Sequence, residues 1–258
     1  MEDKNRMEAL QLAGQIIMEN GGETYRAEET IRRMGQGFGL SEVESFAVPS
    51  GLFISYRAED GHMETSVRRV HRQGTNLTRV DATNRVSRQT AAGRMTPAEA
   101  YEQLQEIQQM RGPVSTWFSL VAAGLCAGGF GCLFGGNWLE LALSFAIAAL
   151  VHGIGMITAR FHDRGMAANI LGGMFTSLLA NLAALALPSA RTDIIIASAL
   201  MPMVPGVAMT NAVQDALRGD MVSGLSYAAQ ALLTACLIAG GALVSPYLMR
   251  LILGGMGR

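Results

Sequence analysis

Beyond residue 113 the chain is a succession of long apolar segments that are almost free of charge. Val114 to Phe134 carries no charged residue, and a helix of about 20 apolar residues spans the hydrocarbon core of a bilayer. Four more such stretches follow, so the expected spans are 114–134, 138–159, 166–187, 194–213 and 223–248. Of the 41 formal charges, 30 lie in residues 1–111 and 11 in residues 112–258. That asymmetry divides the chain into a charged part and a lipid-facing part. The expected architecture is an α-helical integral membrane protein of about five transmembrane helices, 113–258, behind an N-terminal cytoplasmic α+β domain, 1–112. Lipid is then the chain's first partner.

The charged part reads as helices around a small sheet. Met7, Leu10, Ala13, Ile16 and Ile17 recur at helical spacing. A second helix is expected from Glu23 to Phe38, closed by Gly39, with Tyr25, Ala27, Thr30, Ile31 and Met34 on its buried side. Strands are expected at 43–48, 52–57 and 62–70. Asp60-Gly61 predicts a type I′ hairpin between the last two. Met63, Thr65 and Val67 would face covering helices. Residues 77–92 predict another helix, and Thr96-Pro97-Ala98-Glu99 opens the next with a capping box. Arg111-Gly112-Pro113 is the expected boundary.

Within the apolar part the stretch from Ile194 to Asp220 stands out. Pro202, Pro205 and Gly206 interrupt it, and Asn211 and Asp215 follow four residues apart, on one helical face. A proline removes a backbone donor and frees a carbonyl. In hydrocarbon that group must find protein, ion or water. A broken helix followed by a carboxamide and a carboxylate therefore points to a transport site for a small molecule, with a substrate ammonium or a coupling proton held there. The bland alternative is an Asp215 at the water interface beside Arg218. His152 lies in the second span, and an imidazole there suits proton coupling, or is a buried histidine bonded to a neighbour. Asn169 and Asn181 in the third span line a pathway or tie helices together. Gly124/Gly128 and Gly131/Gly135 are small-xxx-small pairs for close helix approach.

Other chemistry is thinly represented. Cys126, Cys132 and Cys236 all fall in apolar segments and read as small residues in packed helices, without disulfide or zinc spacing. His62 and His71 lack a third ligand, so no metal and no cofactor is expected. No nucleophile–base constellation is present, so no catalytic residue is assigned. A net charge of −1 provides no basic patch for nucleic acid. The opening segment has no apolar core like that of a signal peptide, which keeps the N-terminus in the cytoplasm. Five spans then put the C-terminus on the other side, with Arg160, Arg164 and Arg218 inside and Arg191, Arg250 and Arg258 outside.

Three segments resemble one family. Gly21-Gly22-Glu23-Thr24-Tyr25-Arg26-Ala27-Glu28 is similar to its opening helix motif. Thr65-Ser66-Val67-Arg68 through Gly74-Thr75-Asn76-Leu77 is similar to its second. Val204-Pro205-Gly206 with Asn211-Ala212 and Asp215 resembles its membrane signature. The family is that of the threonine/serine exporters, and the length resembles the N-terminal-half (YjjP-type) subunit of its split members. The resemblance implies an exporter of hydroxy amino acids or small dicarboxylates such as succinate in the bacterial cytoplasmic (inner) membrane, driven by the proton gradient. It also implies a second, YjjB-type membrane subunit, with a homo-oligomer as the other arrangement. It marks Gly22, Glu23, Arg26, Glu28, Arg68, Gly74 and Asn76 as the motif residues of the charged domain. A competing reading makes the helices a mere anchor for a regulatory domain. Polar groups in several spans argue against it, since each costs free energy in lipid.

Overall fold

The structure is a computed structural model and describes residues 2–58, 60–71, 74–110, 115–161 and 165–255. The elements in chain order are α1 (Glu2–Glu19), α2 (Thr24–Gly37), β1 (Ser41–Val48), β2 (Gly51–Arg57), β3 (Met63–Arg69), α3 (Leu77–Ala91) and α4 (Pro97–Gln109). There follow α5 (Thr116–Leu133), α6 (Trp138–Phe161), α7 (Gly165–Ala186), α8 (Thr192–Leu200), a 3-10 turn (Met201–Met203), α9 (Gly206–Leu217) and α10 (Met221–Gly255). The chain gathers into two compact units: residues 1–113 with 206–230, and residues 114–205 with 231–258. The expected boundary at Arg111-Gly112-Pro113 lies outside the described residues.

In the first unit, α1 presents Leu10, Ala13, Ile16 and Ile17 to a core completed by Ile31 and Met34 of α2, Leu52, Ile54 and Tyr56 of β2, and Leu104 of α4, all essentially inaccessible. Helix α2 ends in a Schellman motif. The Leu40 N–H donates to the Gly35 carbonyl and the Gly39 N–H to that of Gln36. Tyr25, expected on the buried side of α2, is instead half-exposed, and the Arg218 guanidinium lies over its ring at 3.5 Å. The capping box of α4 forms as expected: Thr96 accepts from the Glu99 N–H, and Glu99 accepts from the Thr96 N–H.

The strands make an antiparallel meander in the order β1-β2-β3. Its hairpin differs from expectation. Asp60 does not adopt the positive φ that a two-residue type I′ turn requires. The connection instead runs from Ala58 to His62 with Gly61 at φ +90°, and the Ala58 N–H donates to the His62 carbonyl. The extra loop residue lets one glycine supply the left-handed turn.

The face of the sheet is also reversed at β3. Phe53 pairs with Val67 and Ser55 with Thr65, so Val67 and Thr65 share the outer side with Phe53. Met63 and Val67 are exposed there, beside the Phe46–Phe53 ring pair. The inward row is Glu64 and Ser66, which bond to the Tyr56 hydroxyl and to Gln11. Register sets every side at once, and the fully buried Leu52, Ile54 and Tyr56 decide it against the weaker pattern of β3.

The second unit packs α5, α6, α7 and α8 around small residues: Ala127, Ala148, Ala180 and Ala199, with Ile147, Val151 and Ile195. Among the described residues four helices are long and apolar enough to cross a bilayer, and a fifth crossing counts if α8 and α9 are one broken span. Many of their side chains, such as Leu125, Leu133, Leu232 and Leu243, are exposed. The last helix is longer than the expected 223–248.

Two packing expectations fail in the second unit. All three cysteines lie exposed and free, so they are not the packed small residues that their apolar context suggested. Gly124 and Gly128 do allow approach, facing Phe145 and Leu141 of α6. Gly135, however, lies past the end of α5 with open space around it, so Gly131/Gly135 is not a packing pair. The closest backbone approach is between α7 and α10, at Gly173 and Gly241.

Candidate functional site

The site is best built outward from the turn that follows α1. Gly21 has φ +88°, open to glycine at no steric cost. The Gly22 N–H donates to the Ile17 carbonyl at 3.0 Å, and a side chain at Gly22 would collide with Ile17. The segment after β3 docks on the same turn. The Gly74 N–H donates to the Glu19 carbonyl at 2.9 Å and the Asn76 N–H to the Asn20 carbonyl at 3.0 Å. Asn76 also caps α3, accepting from the Arg79 N–H.

The third segment meets this turn from α9. Asn211 and Asp215 lie on its buried face at 4% and 1% exposure. The Asn211 Nδ2 donates to the Gly21 carbonyl at 3.5 Å. The Thr24 hydroxyl donates to Asp220 at 3.5 Å and is within reach of Asp215. Buried Tyr227 of α10 stands against Asn211. The Asp215 Oδ2 is sealed from solvent and has no hydrogen-bond partner among the described residues. A buried carboxylate oxygen without a donor carries the full cost of its lost hydration. Glu23 and Asp220 add negative charge around it, and Arg218 adds positive. Three stretches far apart in sequence thus converge on the turn that follows α1. Asp220 in turn starts α10 by accepting from the Ser223 N–H.

The remaining motif residues have plainer roles. Helix α2 begins at Thr24, so Glu23 precedes the first turn instead of lying in it. It makes no cap bond and pairs with Arg26 at 2.7 Å. Glu28 accepts from the Ala47 N–H at 2.8 Å, tying α2 to the edge of the sheet. Burial pushes the Glu28 carboxyl above the ordinary carboxylate range, against the Ala47 bond, and nearby Asp220 and Asp215 push the same way. Arg68 donates to Gln15 of α1 at 2.9 Å.

In the second unit, His152, Asn169 and Pro202 come together on a cavity of about 310 Å3, otherwise apolar apart from Thr158. The His152 Nε2 lies 2.8 Å from the Ser119 hydroxyl. Asn181 is not part of this cavity. Its Nδ2 donates to the Ser177 carbonyl one turn back, a local bond on α7. Helix α8 gives way to the 3-10 turn at Met201–Met203. Val204 is extended, Pro205 separates the two helices, and Gly206 opens α9.

Sequence reasoning missed Glu140. It is fully buried and accepts from the Asn137 N–H at 2.8 Å and the Arg191 N–H at 3.1 Å, so it caps α6 and the start of α8 together. The Asn137-x-x-Glu140 spacing was the available signal.

Bilayer-length apolar helices, with a further helix pair broken at Pro205, define a class: a multi-pass membrane protein. The particular family follows from comparison. The sequence matches the family described as "Putative threonine/serine exporter" over residues 8–249. The chain belongs to the threonine/serine exporter family. It is 22% identical to the "Probable threonine/serine exporter" of Mycobacterium tuberculosis over 90% of this chain and 44% of that protein. It is 25% identical to the "Probable succinate transporter subunit YjjP" of Escherichia coli over 86% of each chain. It is 24% identical to the "Threonine/serine exporter" of Corynebacterium glutamicum over 81% of this chain and 44% of that one. The chain therefore spans less than half the length of the two relatives named as exporters of threonine and serine. No solved structure matches it.

Proposed function

We propose that the chain is one subunit of a secondary active exporter of small metabolites, driven by the proton gradient. The substrates are threonine/serine-type amino acids or small dicarboxylates such as succinate. The N-terminal unit lies on the cytoplasmic side of the bacterial inner membrane, and a second membrane subunit of the YjjB type completes the transporter. The observation that carries this reading is the buried Asp215 carboxylate, whose Oδ2 has no hydrogen-bond partner among the described residues, on the α9 helix that follows the break at Pro205 and Gly206. A group of that kind is costly in any fold and is retained where it binds and releases a proton or a cation. Pro202, Pro205, Gly206, Asn211, Asp215, His152, Asn169 and Asn181 are the proposed pathway residues. The likeness in length to relatives named as succinate transporter subunits keeps a dicarboxylate as the second substrate class.

The test is efflux of labelled threonine, serine or succinate from proteoliposomes holding this chain with and without its second subunit, under an imposed pH gradient. Asp215→Asn is expected to abolish efflux while the protein still folds and inserts. Unchanged efflux in that variant removes Asp215 from the mechanism.

A further inference from the structure

The first unit carries a cleft of about 670 Å3 that the transport reading leaves unused. Helix α2 contributes Tyr25, Glu28 and Arg32, strand β1 contributes Glu44 and Ser45, and Arg218 enters from the end of α9. A register shift between Ser41 and Glu44 bulges β1 where it borders the cleft, and Glu42 there holds φ +51°. Farther along β1 the edge is closed. The Ala47 N–H is taken by Glu28, and its carbonyl accepts from the Ser223 hydroxyl at 3.3 Å.

The charges of this cleft are of both signs, and they are not mutually consumed. The Arg218 guanidinium lies on the Tyr25 ring and makes no ion pair among the described residues. One oxygen of Glu28 accepts from Ala47, and the other is open to a second donor. Glu29, at the margin, is already paired with Arg33 at 2.5 Å.

We propose that this cleft binds the zwitterion of a small α-amino acid. Glu28 and the Ser45 hydroxyl receive the ammonium. Arg218, with Arg32, receives the carboxylate, for which a planar guanidinium offers paired donors. A ring-stacked arginine is already oriented, which lessens the freedom lost on binding. With Glu29 neutralised by Arg33, the lining holds two carboxylates, Glu28 and Glu44, against two guanidiniums, Arg32 and Arg218. A zwitterion keeps that balance, whereas a dianion adds two negative charges to it. The cleft therefore selects amino acids over dicarboxylates. This assignment concerns equilibrium binding and stands whether or not the chain transports its ligand.

The test is calorimetric titration of the full chain in detergent with L-threonine, L-serine and succinate, where no transport is needed. Saturable binding of the two amino acids and none of succinate is expected. Arg218→Gln and Glu28→Gln are each expected to weaken amino-acid binding about tenfold or more, as the loss of a charged hydrogen bond requires. Thermal melts accompany each variant, and Arg218→Gln, at an exposed position, is expected to melt as the wild type does. Three results overturn the proposal: no binding of either amino acid, succinate binding as tight as theirs, or binding unchanged in both variants.

Discussion

Adding one methyl group at Gly241 should loosen the second unit, while the same addition at the neighbouring Gly240 should not. A β-carbon built at Gly241 lies 2.9 Å from the Ile170 carbonyl carbon and 3.1 Å from its Cα, both backbone atoms of α7. At Gly173 of α7 the reciprocal β-carbon lies 3.0 Å from the Ile238 carbonyl carbon and 3.1 Å from the Ala242 nitrogen of α10. Ordinary contact begins at 3.4 Å, and backbone cannot rotate away as a side chain can. The two helices must therefore part by at least about half an ångström, and overpacking of that kind costs about 1–3 kcal/mol. A β-carbon at Gly240 meets nothing within 4 Å. Gly240→Ala there gains helix propensity worth up to about 1 kcal/mol. Detergent-solubilised variants would be compared by thermal unfolding. Gly241→Ala is expected to melt below the wild type and Gly240→Ala at or above it. Gly173→Ala should behave like Gly241→Ala. The double variant Gly173→Ala/Gly241→Ala should lose less than the two losses combined, because both relieve the same crossing. Wild-type melting in Gly241→Ala would refute the close α7–α10 contact.

Three further outcomes are expected. Thr96→Ala removes the acceptor of the Glu99 N–H and should cost about 1 kcal/mol, read as faster amide exchange in the first turn of α4. Unchanged exchange would mean that the box adds nothing. Glu28 is held above its ordinary value, so the folded state binds its proton more tightly than the unfolded chain does. The stability linked to that proton is complete below the unfolded pKa and is lost as pH rises through the folded one. Glu28→Gln keeps an acceptor for Ala47, so its melting temperature should gain on the wild type more at pH 7 than at about pH 4, and a gap that widens on acidification would contradict the burial argument. Pro205→Ala allows α8 and α9 to approach one continuous helix and should slow efflux in the reconstituted system. Wild-type rates would make the break ornamental.

Much of the secondary structure was legible because its signals are local. Helical spacing located α1, the Thr96 box located α4, and runs of some 20 uncharged residues located the long helices. Each depends on chemistry within one or two turns of chain. The face of β3 was not legible, because a two-residue period is equally compatible with either side until pairing with β2 chooses. The hairpin failed for a related reason: Asp60-Gly61 fits two loop lengths, and register decides between them.

What the sequence alone determined, then, is the division into a charged and an apolar part, most helix limits, and the three segments similar to one family. Only the tertiary structure decided that these segments meet. Gly21, Asn76 and Asn211 are far apart in the chain, yet one glycine turn offers its backbone to both of the others' segments. That convergence is set by the packing of α1 against α2, α3 and α4. The same holds for Gly173 and Gly241. Their role rests on a helix crossing, and no spacing within a single helix records which partner it will touch.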